Sequence, residues 1–280
     1  MNISGKTKIV GIFGYPVEHT LSPVMHNSAF KHLNLDFCYV PFSVRPEMLE
    51  NAIKGIRALN IVGVNITIPH KEAVIAFLDD ISDEARFIGS VNTIKNFDGK
   101  LIGFNTDGKG FIKSLEEANI KIDNKKILMI GAGGAARAIG FYLCQEADKL
   151  YIYNRSIKRA EMLQNHLAHF KNNVLVAKES LICSKEFFSD LDIIINTTPL
   201  GLKSDDPLPL NADMLKKHQV VCDLIYKQTN LLHIASTIGC KTINGMGMLL
   251  WQGVLAFEKW TGIQPPVEIM RRTLMNHFLK

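Results

Sequence analysis

At 280 residues with 47% hydrophobic side chains, the chain is long enough for two buried cores, which excludes intrinsic disorder. Its 32 Lys and Arg against 27 Asp and Glu leave a formal charge of +5 spread along the length, too mild a bias to expect nucleic acid as a partner. Five cysteines (Cys38, Cys144, Cys183, Cys222, Cys240) are odd in number, far apart and without a C-x-x-C pair, so neither a disulfide framework nor a zinc cluster is expected.

A reducing cytoplasm fits that cysteine usage. The N-terminal run is short and broken by Gly and Pro, and no stretch reaches the length of a membrane helix, so a soluble chain without a secretory signal is expected.

From Lys8 onward, short Val/Ile/Phe-rich runs alternate with amphipathic stretches, the rhythm of an α/β protein. Strands are predicted at Ile9 to Phe13, Phe37 to Phe42 and Ile61 to Ile68. Ser22-Pro23 reads as an N-cap with a first-turn proline, and Arg45-Pro46 as a second helix entry. Val91 to Lys95 and Leu101 to Phe104 flank Asn96-Phe97-Asp98-Gly99, a hairpin signal that adds an antiparallel pair.

A helix from Gly108 to about Asn119 opens a second alternation. Its strands are predicted at Lys126 to Ile130, Leu150 to Asn154, Val174 to Ala177, Asp192 to Asn196, Val220 to Leu224 and Lys241 to Ile243, an open parallel sheet. Met246 to Lys280 is helical by pattern, broken at Thr261-Gly262 and Pro265-Pro266, and has no strands left to cover its apolar face. These helices are expected to return to the first domain and make it discontinuous.

The strand at Lys126 to Ile130 runs into Gly131-Ala132-Gly133-Gly134-Ala135-Ala136, a G-x-G-x-x-A turn followed by a helix. Gly131 permits the tight turn, Gly133 lets backbone approach a pyrophosphate, and Ala136 allows close helix–sheet packing. Free N–H groups at the helix start would face the anion.

At the end of the next strand, where an NAD site presents a carboxylate to the ribose, stand Asn154-Arg155-Ser156, then Lys158 and Arg159. A guanidinium with neighbouring donors suits the 2′-phosphate of NADP. A solvated basic helix face is the other reading of this run.

Along Gly63 to Ile68, alternation sets Val64, Ile66 and Ile68 on one side and Asn65 and Thr67 on the other. Pro69 is expected to open the following helix, which puts Lys71 in its first turn, where the dipole disfavours a cation. General-base work near neutral pH would account for a lysine there, and so would an exposed lysine tolerated by solvent. Asn105-Thr106-Asp107-Gly108 reads first as a turn whose Thr106 or Asp107 caps the next helix. His166 and His169 are helically spaced but lack partners, so no metal site is expected.

Taken together, these segments resemble the shikimate dehydrogenase family over nearly the whole chain. The resemblance is carried by HTLSPVMHN at His19 to Asn27, NITIPHK at Asn65 to Lys71, GSVNT at Gly89 to Thr93 and NTDGKG at Asn105 to Gly110. It continues in GAGGAARA at Gly131 to Ala138, NRS at Asn154 to Ser156, NTTPLG at Asn196 to Gly201 and DLIY at Asp223 to Tyr226, then NGMGMLLWQG at Asn244 to Gly253 and WTG at Trp260 to Gly262.

The resemblance implies two α/β domains: a substrate domain with a mixed, mainly parallel sheet (residues 1–106 and 245–280) and a Rossmann-type NADP domain (residues 107–244). It implies NADPH-linked reduction of 3-dehydroshikimate to shikimate, in aromatic amino-acid biosynthesis, by a monomer or homodimer. Lys71 would be the general acid/base and Asp107 would hydrogen-bond the same region of substrate.

By the same resemblance Thr20 and Ser22 would hold the carboxylate, and Asn65, Thr67, Asn92, Tyr226 and Gln252 would line the rest of the substrate site. Thr197, Leu224, Gly245 and Met248 would join the glycine-rich turn and the basic cluster around NADP. One departure stands out: the family pattern Ser-x-Ser is here Thr20-x-Ser22, whose added methyl narrows the pocket. A dual quinate/shikimate enzyme that also uses NAD is the alternative, followed by a non-catalytic sensor.

Overall fold

The computed structural model describes residues 3–278, which divide into two compact units: residues 3–106 with 250–278, and residues 107–249. The first unit runs β1 (Lys8–Gly14), α1 (Ser22–His32), β2 (Phe37–Ser43), α2 (Leu49–Ala58), β3 (Gly63–Ile66), β4 (Asp80–Ile81), α3 (Asp83–Ile88), β5 (Thr93–Phe97) and β6 (Lys100–Phe104). Its six strands lie in the order β2-β1-β3-β5-β6-β4. β1 pairs in parallel with β2 and β3, while β5 runs antiparallel to both β3 and β6, so the sheet is mixed.

The expected hairpin forms with its register moved along the chain. β5 extends to Phe97 and pairs Phe97 with Lys100, so the two-residue turn is Asp98-Gly99. Both residues have positive φ, 49° and 93°, which is why the Asp-Gly pair suits a tight hairpin.

α2 buries Leu49, Ile53 and Ile56, one stripe at helical spacing, against Phe13, Val64, Ile66 and Ile94 of the sheet. An aromatic cluster forms from α1, β2 and the C-terminal segment: Phe30 stacks on Phe257 at 4.9 Å between ring centroids, and Tyr39 lies 5.9 Å from Trp260. The Trp260 indole donates to the Ile94 carbonyl at 3.0 Å. Gly63 admits that indole, because a Cβ there would come within 2.4 Å of Nε1. The apolar C-terminal helices therefore do cover the first sheet.

The second unit runs α4 (Asp107–Glu117), β7 (Lys126–Ile130), α5 (Gly134–Glu146), β8 (Lys149–Tyr153), α6 (Ile157–Ala168), β9 (Val174–Val176), α7 (Glu179–Ile182) and α8 (Lys185–Ser189). β10 (Ile193–Asn196), β11 (Val220–Asp223), α9 (Asn230–Ile238) and β12 (Lys241–Ile243) complete its sheet. All its strands are parallel, in the order β12-β11-β10-β7-β8-β9. This is the doubly wound dinucleotide-binding order, reversing between β7 and β10. The central strands are continuous apolar runs because helices cover both faces.

α10 (Met246–Thr261) starts in the second unit and ends in the first, and α11 (Val267–Phe278) follows the break at Gly262, whose φ is +71°. The return to the first unit thus falls inside α10 rather than ahead of it.

Candidate active site

In the first unit, two of the candidate substrate residues, Asn65 and Asn92, meet at the end of β3. Asn65, the third residue of this strand, is buried, and its Nδ2 donates to the Asn92 carbonyl at 3.2 Å and to the Thr93 hydroxyl at 3.1 Å. Its Oδ1 accepts the Tyr39 phenol at 2.8 Å. The Asn92 side chain in turn accepts from the Thr106 backbone N–H at 2.8 Å and donates to the Thr106 hydroxyl at 2.9 Å. Buried polar groups of this density must satisfy one another, and here each amide is oriented by at least two partners.

Ser22 is buried and Thr20 half-buried, and the Thr20 hydroxyl accepts from the Ser22 backbone N–H at 3.3 Å. Ser22 does not cap its helix as expected. It is the first helical residue, and Leu21, whose side chain makes no cap hydrogen bond, occupies the cap. Burial raises the pKa of the Tyr39 phenol, and the neighbouring Ser22 hydroxyl opposes the rise.

Lys71 differs from expectation in its setting. The Ile68–Pro69 peptide is cis, Pro69 begins no α-helix, and the next helical turn is a 3₁₀ segment at Ala73–Phe77. No helix dipole therefore acts on Lys71. Ile68, expected on the core side, is 72% exposed because the strand ends at Ile66.

The loop holding Lys71 is fixed through its backbone. Thr67 N–H donates to the Phe13 carbonyl at 2.9 Å, and the Lys71 carbonyl accepts from Val91 N–H at 2.8 Å. Buried His70 donates through Nε2 to the Val44 carbonyl at 2.6 Å. Half-buried Lys71 thus emerges from a rigid turn, with Asn92 next in chain to its backbone partner. Half-buried Gln252 lies on α10 in this unit.

In the second unit, Gly131 closes the strand end of β7 at φ +116°, and a Cβ there would lie 2.3 Å from the Thr197 hydroxyl. The Thr197 hydroxyl donates to the Ile130 carbonyl at 2.7 Å, tying β10 to the turn at the point where strand order reverses. Gly133 is the N-cap of α5, and a Cβ on it would meet no protein atom within 4 Å. That open cradle before a helix N-terminus fits a pyrophosphate. Ala132, Gly134 and Ala135 continue the turn into the helix, partly exposed, while Ala136 is fully buried.

The basic cluster follows β8. Asn154 donates to the Ser156 carbonyl at 2.9 Å and shapes the turn, and Arg155, Lys158 and Arg159 are exposed around the start of α6. Arg155, with its planar fork of donors, fits a phosphate monoester.

A second anchor, which sequence reasoning left unnamed as individual residues, joins the neighbouring loops. Asn196 Nδ2 donates to the Asp223 carboxylate at 3.1 Å, and Asp223 also accepts the Thr229 hydroxyl at 2.9 Å and the Ile225 N–H at 3.1 Å. Burial raises the pKa of this carboxyl against the three hydrogen bonds. The loop after β11 passes so close to Gly245 that a Cβ there would sit 2.0 Å from the Leu224 carbonyl. Tyr226 and Met248 are half-buried in this unit, and buried Asp107 is the first residue of α4. Among the described residues no group of His, Cys, Asp and Glu is arranged to hold a metal, and no helix is long and apolar enough to cross a membrane.

The chain is similar to known proteins across both units. The family models for the shikimate dehydrogenase substrate binding domain, shikimate / quinate 5-dehydrogenase and the shikimate 5′-dehydrogenase C-terminal domain match residues 12–94, 114–203 and 245–275. A shikimate dehydrogenase (NADP(+)) from Desulforamulus reducens is 45% identical over 99% of this chain and 98% of its own. A crystal structure of a shikimate dehydrogenase in complex with NADP+ superposes with a TM-score of 0.93 at 42% identity, covering 100% of this chain and 98% of that one. The Thermus thermophilus shikimate 5-dehydrogenase in complex with NADP(H) and shikimate gives 0.87 at 34% identity, over 96% of this chain and 99% of that one.

Proposed function

The chain belongs to the shikimate dehydrogenase family, and from that premise we propose that it catalyses the reversible NADPH-linked reduction of 3-dehydroshikimate to shikimate, for aromatic amino-acid biosynthesis. The observation that carries the reading is the buried cluster of Asn65, Asn92, Thr93 and Thr106 beside the rigid Lys71 turn. A polyhydroxylated ring with a carboxylate offers donors and acceptors in number, and a cluster of amides and hydroxyls can match each one.

In this reading residues 1–106 with 245–280 bind substrate and residues 107–244 bind NADP. Thr20 and Ser22 receive the carboxylate, and Asn65, Thr67, Asn92, Tyr226 and Gln252 receive the ring hydroxyls. Lys71, as an ammonium, donates a proton to the forming alkoxide during reduction, and as a neutral amine it takes that proton back during oxidation. Asp107 orients the same hydroxyl.

Bound NADP supplies the hydride chemistry. Gly131, Ala132, Gly133, Gly134 and Ala135 cradle its pyrophosphate, and Asn154, Arg155, Ser156, Lys158 and Arg159 take its 2′-phosphate. Thr197, Leu224, Gly245 and Met248 border the nicotinamide side. The same reading assigns the protein to the cytoplasm as a monomer or homodimer, in keeping with its five free cysteines.

The test is to follow NADPH formation at 340 nm with shikimate as the only substrate, alongside quinate and NAD arms. Turnover with shikimate and NADP above the other combinations is the expected result. Equal rates on quinate would favour the dual enzyme, and no turnover with any pair would sink the enzymatic reading.

A further inference from the structure

Asp223, the last residue of β11, has no part in the site proposed above, yet its buried carboxylate is held by three neutral donors. One oxygen accepts the Asn196 side-chain N–H at 3.1 Å and the Ile225 backbone N–H at 3.1 Å, and the other accepts the Thr229 hydroxyl at 2.9 Å. A group that only accepts suits this set. Because Thr229 gives its proton to Asp223, its oxygen is left to receive the Leu232 N–H at 3.3 Å and cap α9.

The donors belong to segments that border the candidate nicotinamide residues. Asn196 also folds the loop that follows it: Nδ2 donates to the Leu200 carbonyl at 3.1 Å, and Oδ1 accepts the Thr198 N–H at 3.0 Å and hydroxyl at 2.7 Å. Thr197, inside that loop, donates to the Ile130 carbonyl through its N–H at 2.8 Å and its hydroxyl at 2.7 Å, and so abuts the Gly131 turn. On the other side, the Ile225 carbonyl accepts the Gly245 N–H at 3.0 Å. The ladder between β10 and β11 ends at the Asn196–Asp223 pair, so beyond it the carboxylate sets the spacing of the two loops.

We infer that Asp223 is a positioning residue for the cofactor: through Asn196 and Ile225 it holds the loops of Thr197 and Leu224 at the spacing that seats the nicotinamide, while the glycine-rich turn holds the pyrophosphate independently. This rests on the cofactor reading proposed above.

The experiment compares full-length wild type, Asp223→Ala and Asp223→Asn by amide hydrogen exchange with and without saturating NADPH, and by steady-state kinetics. In wild type, NADPH should slow exchange in residues 131–136, 197–201 and 224–226. In Asp223→Ala the slowing should persist at 131–136 and disappear from the other two segments. Its kcat should fall about 10- to 100-fold, the scale of a misplaced reactant, with the KM for NADP within about threefold. Asp223→Asn keeps an acceptor oxygen for Asn196 and Ile225, so it should recover kcat to within about threefold of wild type.

Slowing retained in all three segments of Asp223→Ala, slowing lost from all three, or a near-normal kcat would overturn the positioning role and leave the cofactor reading intact. A loss in Asp223→Asn as large as in Asp223→Ala would assign the effect to charge and overturn it too. Wild type without slowing at 131–136 would remove the cofactor reading itself. Should Asp223→Ala fail to fold, Thr229→Val removes one of the three donors: kcat should fall several-fold with the same pattern of exchange, and Thr229→Ser should restore it. A Thr229→Val variant that matches wild type in both measurements would overturn the proposal.

Discussion

The His26 imidazole lies parallel to the Tyr39 ring, 4.6 Å between centroids, fully buried, and neither ring nitrogen has a hydrogen-bond partner. Phe30, Phe257 and Trp260 form the rest of its surroundings. Burial pushes its pKa down to about 3, so the folded protein holds a neutral imidazole.

That arrangement sets a pH dependence with a definite sign. Below an unfolded pKa of about 6.5 the unfolded chain binds a proton at this histidine that the folded one refuses, so stability falls as pH falls. From the two pKa values, His26 alone costs about 2 kcal/mol between pH 7 and pH 5. Urea unfolding at both pH values should show His26→Leu losing less stability over that interval than wild type. An identical loss would remove histidine from the explanation.

Replacing Lys71 with Ala should lower turnover about 10²- to 10⁴-fold, the usual span for a positioned acid/base, with shikimate affinity little changed. Steady-state kinetics with binding of shikimate measured separately checks this. Near-normal kcat would assign the proton transfer elsewhere.

Arg155→Ala should raise the KM for NADP about tenfold and leave that for NAD within about twofold, because only NADP carries the 2′-phosphate. Parallel losses with both would mark Arg155, Lys158 and Arg159 as a solvated surface.

Gly245→Ala asks a backbone carbonyl to move, since the new Cβ would lie 2.0 Å from Leu224 O. Thermal unfolding should show a loss of roughly 1–3 kcal/mol, the range for overpacked sites. The KM for NADP should rise with it. A variant as stable as wild type would mean that the loop after β11 yields freely.

Features set by residues near one another in the chain were legible in the sequence. Asp98-Gly99 needs two positive-φ residues in a row, and Gly131 to Ala136 needs small residues at fixed offsets after a strand; neither depends on distant partners. Reading failed where a distant segment decides. Pro69 looked like a helix opener, but Thr67 bonds Phe13 and Lys71 bonds Val91, which holds the segment as a turn. Ser22 looked like a cap, but the helix starts at Ser22 itself with Leu21 in the cap position. Tyr39 itself reads as an ordinary strand aromatic, since nothing local announces Asn65 as its partner.

The path of α10 bears on how the protein is born. Residues 107–249 are complete as soon as their own sequence has left the ribosome, whereas the first sheet waits for Phe257 and Trp260, which are made after them. The later-numbered unit can therefore finish first, against the usual N-terminal-first order. Until Phe257 and Trp260 emerge, the earlier one offers an uncovered aromatic face to chaperones.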